Sequence, residues 1–196
     1  MNKTKLNIIL DLDQTIISAE SSEEYDKEKN KTKEKKFIFH NMDSYYKVFE
    51  RPGLQKFLDY LFKNFIVSVW TAASKDYALF IIDNIILQNK KERQLGWVFF
   101  SYHCDLSRKL TKRSKSLSML WDVYQIDGYT KDNTIILDDY DEVFKTQEDN
   151  CIIAIPFEFE DKNSHKDKYL QKLANALKTI TPVKPARKIN KQLNTN

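Results

Sequence analysis

Asp11 and Asp13 lie two residues apart in the stretch NIILDLDQTII, Asn7 to Ile17, and Thr15 follows two residues later. One carboxylate of such a pair can act as a nucleophile and form an acyl phosphate. The other can give a proton to the leaving group and later take one from water. Two close carboxylates also suit a hard cation such as Mg2+, which takes oxygen ligands and keeps several waters. The cation would screen an anionic nucleophile from an anionic phosphate. The same five residues also make an ordinary strand end followed by an Asp-rich turn. Their meaning therefore depends on what the rest of the chain brings to them.

Two more places end an apolar run in polar groups. IVSVW ends in Thr71, and TIIL ends in Asp138 and Asp139. Between them, the basic segment from Asp105 to Lys115 offers Lys109, Lys112 and Lys115. A phosphoryl transition state needs hydroxyl or N–H donors, a metal ligand and positive charge, and these three places hold all three kinds of group. Each alone is bland: a strand end before a turn, a helix-cap threonine, a surface lysine. His40, His103 and His165 show no metal-ligand spacing and read as structural or surface residues, and no base lies near Cys104 in sequence.

For these groups to meet, the runs that carry them must be neighbours in one sheet. Leu6 and Ile8 to Leu10 suit a strand buried on both faces, where apolar residues need not alternate. The further strands expected are Phe65 to Trp70, Trp97 to Ser101, Thr134 to Leu137 and Cys151 to Ile155. Helices are expected after Arg51-Pro52-Gly53, with Leu54, Phe57, Leu58, Leu61 and Phe62 on one face. Others are expected from Lys75 to about Gln88 behind a Ser74 cap, with Tyr77, Ile81, Ile82, Ile85 and Ile86 on its apolar face. The rest run from Ser116 to Tyr124, near Glu142 to Thr146, and from Ser164 to Ile180. Strand and helix alternate through this order, which predicts an α/β domain: a parallel sheet flanked by helices, with ligands past the carboxyl ends of the strands. Phe37 to His40 and Tyr45 to Phe49 read as a β-hairpin. Ser18 to Lys36 is dense in both charges and reads as a mobile loop.

Composition bounds the class. The chain has 196 residues, 41% of them hydrophobic, enough for one core. Residues 1–180 are expected to form one domain, and 181–196 a basic tail with two prolines that stays disordered. The two cysteines, Cys104 and Cys151, match no zinc spacing and read as free thiols of a reducing compartment. No signal peptide and no apolar run of membrane-spanning length is visible, so an intracellular protein, nuclear or cytoplasmic, is expected. The net charge of +4 mildly favours an acidic partner. No basic groove interleaved with aromatics can be read, which weighs against nucleic acid. The Lys/Asn/Ile-rich style is that of an AT-rich genome such as a virus or protist.

Taken together the motifs resemble the FCP/SCP-type protein phosphatases of the haloacid dehalogenase superfamily. DLDQT (11–15) resembles that family's aspartate signature. RPGLQKFLDYL (51–61) resembles the helix after its hairpin, and FIVSVWTAASKDYA (65–78) its second motif. KSLSMLW (115–121), followed by NTIILDD (133–139), is closest to the branch of ubiquitin-like-domain-containing phosphatases of the polymerase C-terminal domain, and AIPF (154–157) also fits. The similarity runs in order from Lys5 to Lys178, and no stretch of these 196 residues resembles the ubiquitin-like domain of that branch.

The resemblance implies a haloacid-dehalogenase-like fold and a Mg2+-dependent phosphatase of phosphoserine and phosphothreonine. By it Asp11 is the nucleophile and Asp13 the general acid and base. Thr15, Thr71, Ala72 and Lys115 hold the phosphate. Asp139 joins Asp11 and the Asp13 carbonyl on the metal, and Asp138 orients Lys115. Lys115 is chosen over Lys112 because KSLSMLW aligns best. The implied partner is a phosphorylated protein or peptide, with the C-terminal domain of RNA polymerase II as a candidate. The short segment between the second and third motifs implies no large cap. A nucleotide or polynucleotide-end phosphatase keeps the same chemistry with another substrate. A binding module that has lost catalysis would be expected to lack Asp11 or Asp13, and both are present.

Overall fold

The computed structural model describes residues 5–179 and 185–194. The first apolar run forms β1 (Asn7–Leu10), buried along its whole length. It pairs in parallel with β5 (Ile66–Trp70) on one side and β7 (Thr134–Asp138) on the other. Outside these lie β6 (Leu95–Phe99) and β8 (Cys151–Ile153), giving the order β6-β5-β1-β7-β8 with every pairing parallel. The chain builds outward from β1 on one side and then crosses to the other. The order therefore reverses at β1, which is where open α/β sheets place their crevice. Leu10 is level with Val69 and Leu137, so Asp11 and Asp138 are each the next residue along and Thr71 follows one step after.

The parallel sheet is covered on both faces. Ile8 and Leu10 point into one core with the apolar sides of α2 (Leu54–Asn64), α3 (Lys75–Ile81) and α6 (Tyr169–Leu177). Ile9 and Ile136 point into the other, with Trp70, Phe99, Cys104, Leu117, Leu120 and Val143. Each fully buried Leu or Ile contributes about 1.5–3 kcal/mol, so the strand that carries Asp11 is firmly anchored. α2 buries the five residues expected of it and starts at Gly53, whose φ of 84° is left-handed. Ser74 caps α3 as expected, but the helix expected to continue to Gln88 widens into π-helical turns over Ile82–Leu87.

Several expectations are corrected. Ser18 to Lys36 is not a loop: it holds β2 (Ile17–Ser21) and α1 (Lys27–Glu34), with Asp26 as the N-cap. The hairpin strands β3 (Phe39–Met42) and β4 (Tyr46–Glu50) are present, but β4 also pairs with β2, making a three-stranded antiparallel sheet in the order β2-β4-β3. The basic segment before Lys115 is mostly helix, α4 (Ser101–Thr111), and the expected helix from Ser116 to Tyr124 is a short π-helical stretch, Met119–Val123. α5 (Asp141–Thr146) stands where a short helix was expected. The last expected helix is split: a 3-10 turn at Ser164–Lys166 precedes α6, and Ile180 lies outside the described residues.

The tail expected to be disordered contains α7 (Pro185–Asn194), while 181–184 and 195–196 lie outside the described residues. Ala186 and Ile189 are buried in the main core. The Asn190 amide takes the place of a neighbouring strand on β8: its Oδ1 accepts from the Ile153 N–H at 3.2 Å and its Nδ2 donates to the Cys151 carbonyl at 2.9 Å. This covers a sheet edge that would otherwise be open to pairing with other chains.

Candidate active site

The turn after β1 is pinned from three directions. The Leu12 carbonyl accepts from the Ile16 N–H at 2.9 Å, which closes the turn. The Gln14 carbonyl accepts from the Phe157 N–H at 2.7 Å, and Gln14 takes a left-handed φ of 56°. Arg51, fully buried, donates from Nη1 to the Thr15 carbonyl at 2.9 Å and to the Ile155 carbonyl at 2.8 Å. Its other edge forms a two-pronged pair with Asp167, at 3.2 and 2.8 Å. Two-pronged pairing fixes orientation as well as charge, so Arg51 ties the motif turn to the segment after β8.

Within this frame the sequence-predicted residues fall into three groups. Asp11, Thr15, Lys115, Asp138 and Asp139 form one connected network. Lys115 Nζ donates to Asp11 Oδ1 at 2.5 Å and to Asp138 Oδ2 at 2.7 Å. The Thr15 hydroxyl lies 3.1 Å from Asp11 Oδ2 and 3.2 Å from Asp139 Oδ1. The Tyr140 N–H donates to Asp138 Oδ1 at 2.9 Å. Asp13 points elsewhere: its Oδ1 accepts from the Tyr77 hydroxyl at 2.5 Å. Thr71 and Ala72 stand at the end of the neighbouring strand without a side-chain bond to the network. The Thr71 hydroxyl accepts from the Ala73 N–H at 3.0 Å, and Ala72 is exposed.

Lys112 and Lys115 are placed differently. Lys112 is exposed and ends α4 with a left-handed φ, whereas Lys115 is buried against two carboxylates. Lys115 itself has φ 44°, a conformation that costs energy for a residue with a Cβ. The surroundings hold it there. The Lys115 carbonyl accepts from the Gln147 side chain at 3.0 Å, and the Leu117 N–H donates to that same side chain at 3.0 Å. The Ser114 N–H donates to Glu142 at 3.1 Å, and the Ser114 hydroxyl also reaches Glu142. Glu142 and Gln147 are at and just past α5, so α5 sets the position of the lysine.

The electrostatics call for more positive charge. Carboxylate oxygens of Asp11, Asp138 and Asp139 lie within 4.8 Å of one another, and one ammonium faces three acids. Burial and the Asp11 charge push Asp138 upward, opposed by Lys115, and the same two causes push Asp139 upward, opposed by Thr15. Burial alone would push the Lys115 ammonium down; the adjoining Asp11 and Asp138 outweigh it and hold it above the ordinary lysine range. A buried all-oxygen cluster with surplus negative charge is a fitting donor set for a hard divalent cation. Asp13 behaves differently. Burial raises it to about 6, opposed by the Tyr77 hydrogen bond and helped by Asp11. It thus reaches the range in which one carboxyl can both give and take a proton.

Four residues that hold this site were not singled out for it in the sequence: Tyr77, Arg51, Glu142 and Gln147. Tyr77 was visible only as part of the apolar face of α3, and its ring does pack there; nothing in the spacing shows where its hydroxyl goes. His40 pairs with Glu50 at 2.9 Å, and His103 stacks on Phe99 with ring centroids 4.2 Å apart. Burial raises the Cys104 thiol, which lies 3.5 Å from the Thr71 carbonyl. Among the described residues no helix is long and apolar enough to cross a membrane.

Known proteins match this chain. The family model described as NLI interacting factor-like phosphatase matches residues 6–187. The putative CTD phosphatase-like protein 355R of Invertebrate iridescent virus 6 is 45% identical over 175 residues, covering 87% of this chain and 96% of that one. A protein of the same description from Invertebrate iridescent virus 3 is 42% identical over 185 residues, covering 91% and 98%. Among solved structures, that of Fcp1, titled an essential RNA polymerase II CTD phosphatase, aligns with a TM-score of 0.62 at 19% identity. The alignment covers 89% of this chain and 62% of that one. At that identity the likeness is one of fold, and the fold is the haloacid-dehalogenase-like sheet with its small antiparallel companion.

Proposed function

The chain belongs to the NLI interacting factor-like phosphatase family and is classed with it as a phosphoprotein phosphatase; from that premise we propose that it hydrolyses phosphoserine and phosphothreonine through a phospho-aspartate on Asp11. The observation that carries this reading is the division of labour between two carboxylates on one turn. Asp11 faces the Lys115 ammonium and the acidic cluster, and Asp13 is raised to about 6 and faces the Tyr77 hydroxyl.

In the first step an Asp11 oxygen attacks phosphorus. The bond from phosphorus to the serine or threonine oxygen breaks, and that oxygen takes the proton carried by Asp13. In the second step water attacks the phosphorus of the acyl phosphate. Asp13 takes the water's proton, phosphate leaves, and Asp11 returns to a carboxylate. Lys115 fixes the orientation of Asp11 and offsets its charge as the anionic substrate arrives. Asp138 holds Lys115 in turn. The Thr71 hydroxyl and the Ala72 N–H would receive phosphate oxygens at the end of β5, and Thr15 keeps Asp11 and Asp139 in register. Asp11 and Asp139, with Asp138 behind them and the Asp13 carbonyl, would hold Mg2+. When bound, Mg2+ supplies the positive charge that lets two anions meet.

No separate cap covers the strand ends among the described residues between β5 and β7, which supports a macromolecular substrate over a small one. A substrate without a lid must find its binding energy along its own length, and a peptide can lie across the open edge. The relatives' descriptions make the RNA polymerase II C-terminal domain the first substrate to test. The two iridescent-virus relatives support a virus-encoded enzyme that acts inside an infected cell, in nucleus or cytoplasm. The test is one panel at matched salt: phosphopeptides from that domain, mononucleotides, and 3′- and 5′-phosphorylated oligonucleotides, each with Mg2+ and with a chelator. Phosphopeptides are expected to show the highest kcat/KM, with activity lost on chelation and restored by Mg2+. Preference for an oligonucleotide end, or full activity in excess chelator, would overturn the reading.

A further inference from the structure

Tyr77 has no part in the scheme above, yet its hydroxyl touches the group that must carry the proton. It lies in the first turn of α3, six residues beyond Thr71, and only 6% of it is exposed. Its oxygen is 2.5 Å from Asp13 Oδ1. Tyr46 of β4 packs edge-on against its ring, with centroids 5.4 Å apart and planes at 82°. The ring is thus held by the three-stranded sheet, while α3 is held by the main core. Ser74 caps the same turn by accepting from the Tyr77 N–H at 3.4 Å.

We propose that Tyr77 is a positioning residue for the general acid: its hydroxyl occupies Asp13 Oδ1, so that Asp13 carries and delivers its proton from Oδ2. The argument is one of donors and acceptors. A phenol hydroxyl has one hydrogen, and at this separation it is spent on Oδ1, because Asp13 in its ionised form offers only acceptors. When Asp13 is protonated, the oxygen that already receives the Tyr77 hydrogen is the poorer place for a second one. The proton then sits on Oδ2 and points away from Tyr77. The same bond fixes the carboxyl rotation about Cβ–Cγ, which is otherwise broad for aspartate. A proton donor must lie within hydrogen-bond reach and direction of the leaving oxygen. Without Tyr77 the carboxyl can rotate, and its proton can sit on either oxygen.

This inference rests on the proposed role of Asp13, and the experiment separates the two. Four proteins are compared: the wild type, Tyr77→Phe, Asp13→Asn and the double variant. Each is assayed on a phosphoserine peptide, whose alkoxide needs a proton, and on p-nitrophenyl phosphate, whose leaving group hardly does. Tyr77→Phe keeps the ring against Tyr46 and removes one oxygen, and an unchanged thermal midpoint establishes that the fold is kept. It is expected to lower kcat on the peptide by about tenfold, in line with loss of one hydrogen bond to a charged group, with KM little changed and p-nitrophenyl phosphate turnover nearly unaffected. In the Asp13→Asn background the same change is expected to cost nothing further, since Tyr77 acts only through Asp13. An equal loss on both substrates, or a loss that persists in the double variant, would overturn the proposal and make Tyr77 a substrate contact or a packing residue. If Asp13→Asn itself loses as much on p-nitrophenyl phosphate as on the peptide, the general-acid role falls and the positioning role falls with it. A leaving-group effect for Asp13→Asn but none for Tyr77→Phe would overturn the positioning role alone.

Discussion

The five-stranded sheet is parallel, buried on both faces, and ends in Asp11, Thr71 and the Asp138-Asp139 pair. The three-stranded sheet is antiparallel, buries one face on aromatic rings, and carries no member of the acidic cluster. In the first, strand pairing alone brings residues from three distant segments to one edge, because Leu10, Val69 and Leu137 share a level. In the second, nothing converges by pairing alone. Phe49 stacks on Phe159 at 3.8 Å, and Tyr25 and Phe37 lean on the same pair. α1 is then fastened by polar contacts: Tyr25 donates to Glu34 at 2.7 Å, Lys47 pairs with Glu34, and Asn30 donates to Glu160 at 3.2 Å. The main sheet thus carries the groups proposed to react, and the small sheet supplies support. They meet at Tyr46 against Tyr77, and at Arg51, which follows β4 and holds the Thr15 carbonyl.

That contrast can be broken from either side. Asp11→Asn should cost turnover on the order of 10⁴-fold or more, as loss of a covalent nucleophile does. The fold should survive, since one of three crowded acids is neutralised; steady-state kinetics beside a urea titration would check both. Near-normal turnover in the folded variant would break the account of the main sheet. Phe49→Ala should do the reverse. Removing a fully buried aromatic costs about 3–5 kcal/mol of stability, read as a lower urea midpoint, while kcat of the protein that remains folded is kept. A large fall in kcat without a fall in stability would make the small sheet part of the chemistry.

Smaller effects sharpen the same comparison. Burial and the Asp11 charge raise the Asp139 carboxyl above its ordinary range. The sign follows: above the raised value it is ionised and open to a cation, and as pH falls through that value a proton competes. Mg2+ affinity should therefore weaken toward low pH, by up to about tenfold per pH unit for each proton displaced. Calorimetry in buffers of different ionisation enthalpy should show proton release on binding. Affinity that does not change with pH would remove Asp139 from the cation site. Smallest of all, Asn190→Ala leaves an N–H and a carbonyl of β8 without their partner. It should cost about 1–3 kcal/mol with kcat unchanged, because the Asn190 amide is bonded to the β8 backbone and not to the acidic cluster.

What the sequence makes legible follows from where the information lies. Asp11, Asp13 and Thr15 are within five residues of each other, and the other reactive groups stand directly at strand ends, so short motifs and one topological rule suffice to assemble them. α1 was illegible because Asn30 is its only buried residue, which leaves no apolar period to see. α4 hides for a like reason, burying little beyond Cys104 and Ser107. α7 presents two buried apolar side chains and one buried amide in a lysine-rich, proline-bearing stretch, and it is stabilised by docking rather than by propensity. Arg51, Glu142 and Gln147 act through backbone carbonyls and N–H groups brought close only by the fold, and such contacts leave no mark on residue spacing.

The central claim is that phosphate passes through Asp11, and trapping the acyl phosphate tests it directly. Enzyme in excess over a phosphoserine peptide is mixed with Mg2+, quenched in acid within the first turnover, and reduced with borohydride. Reduction converts an acyl phosphate to an alcohol and leaves a free carboxylate unchanged. Peptide mass spectrometry should then find homoserine at position 11 and aspartate at positions 13, 138 and 139, with no conversion when the peptide is unphosphorylated. Unmodified Asp11 in a sample that has released phosphate, or conversion at another of these acids, would contradict the mechanism.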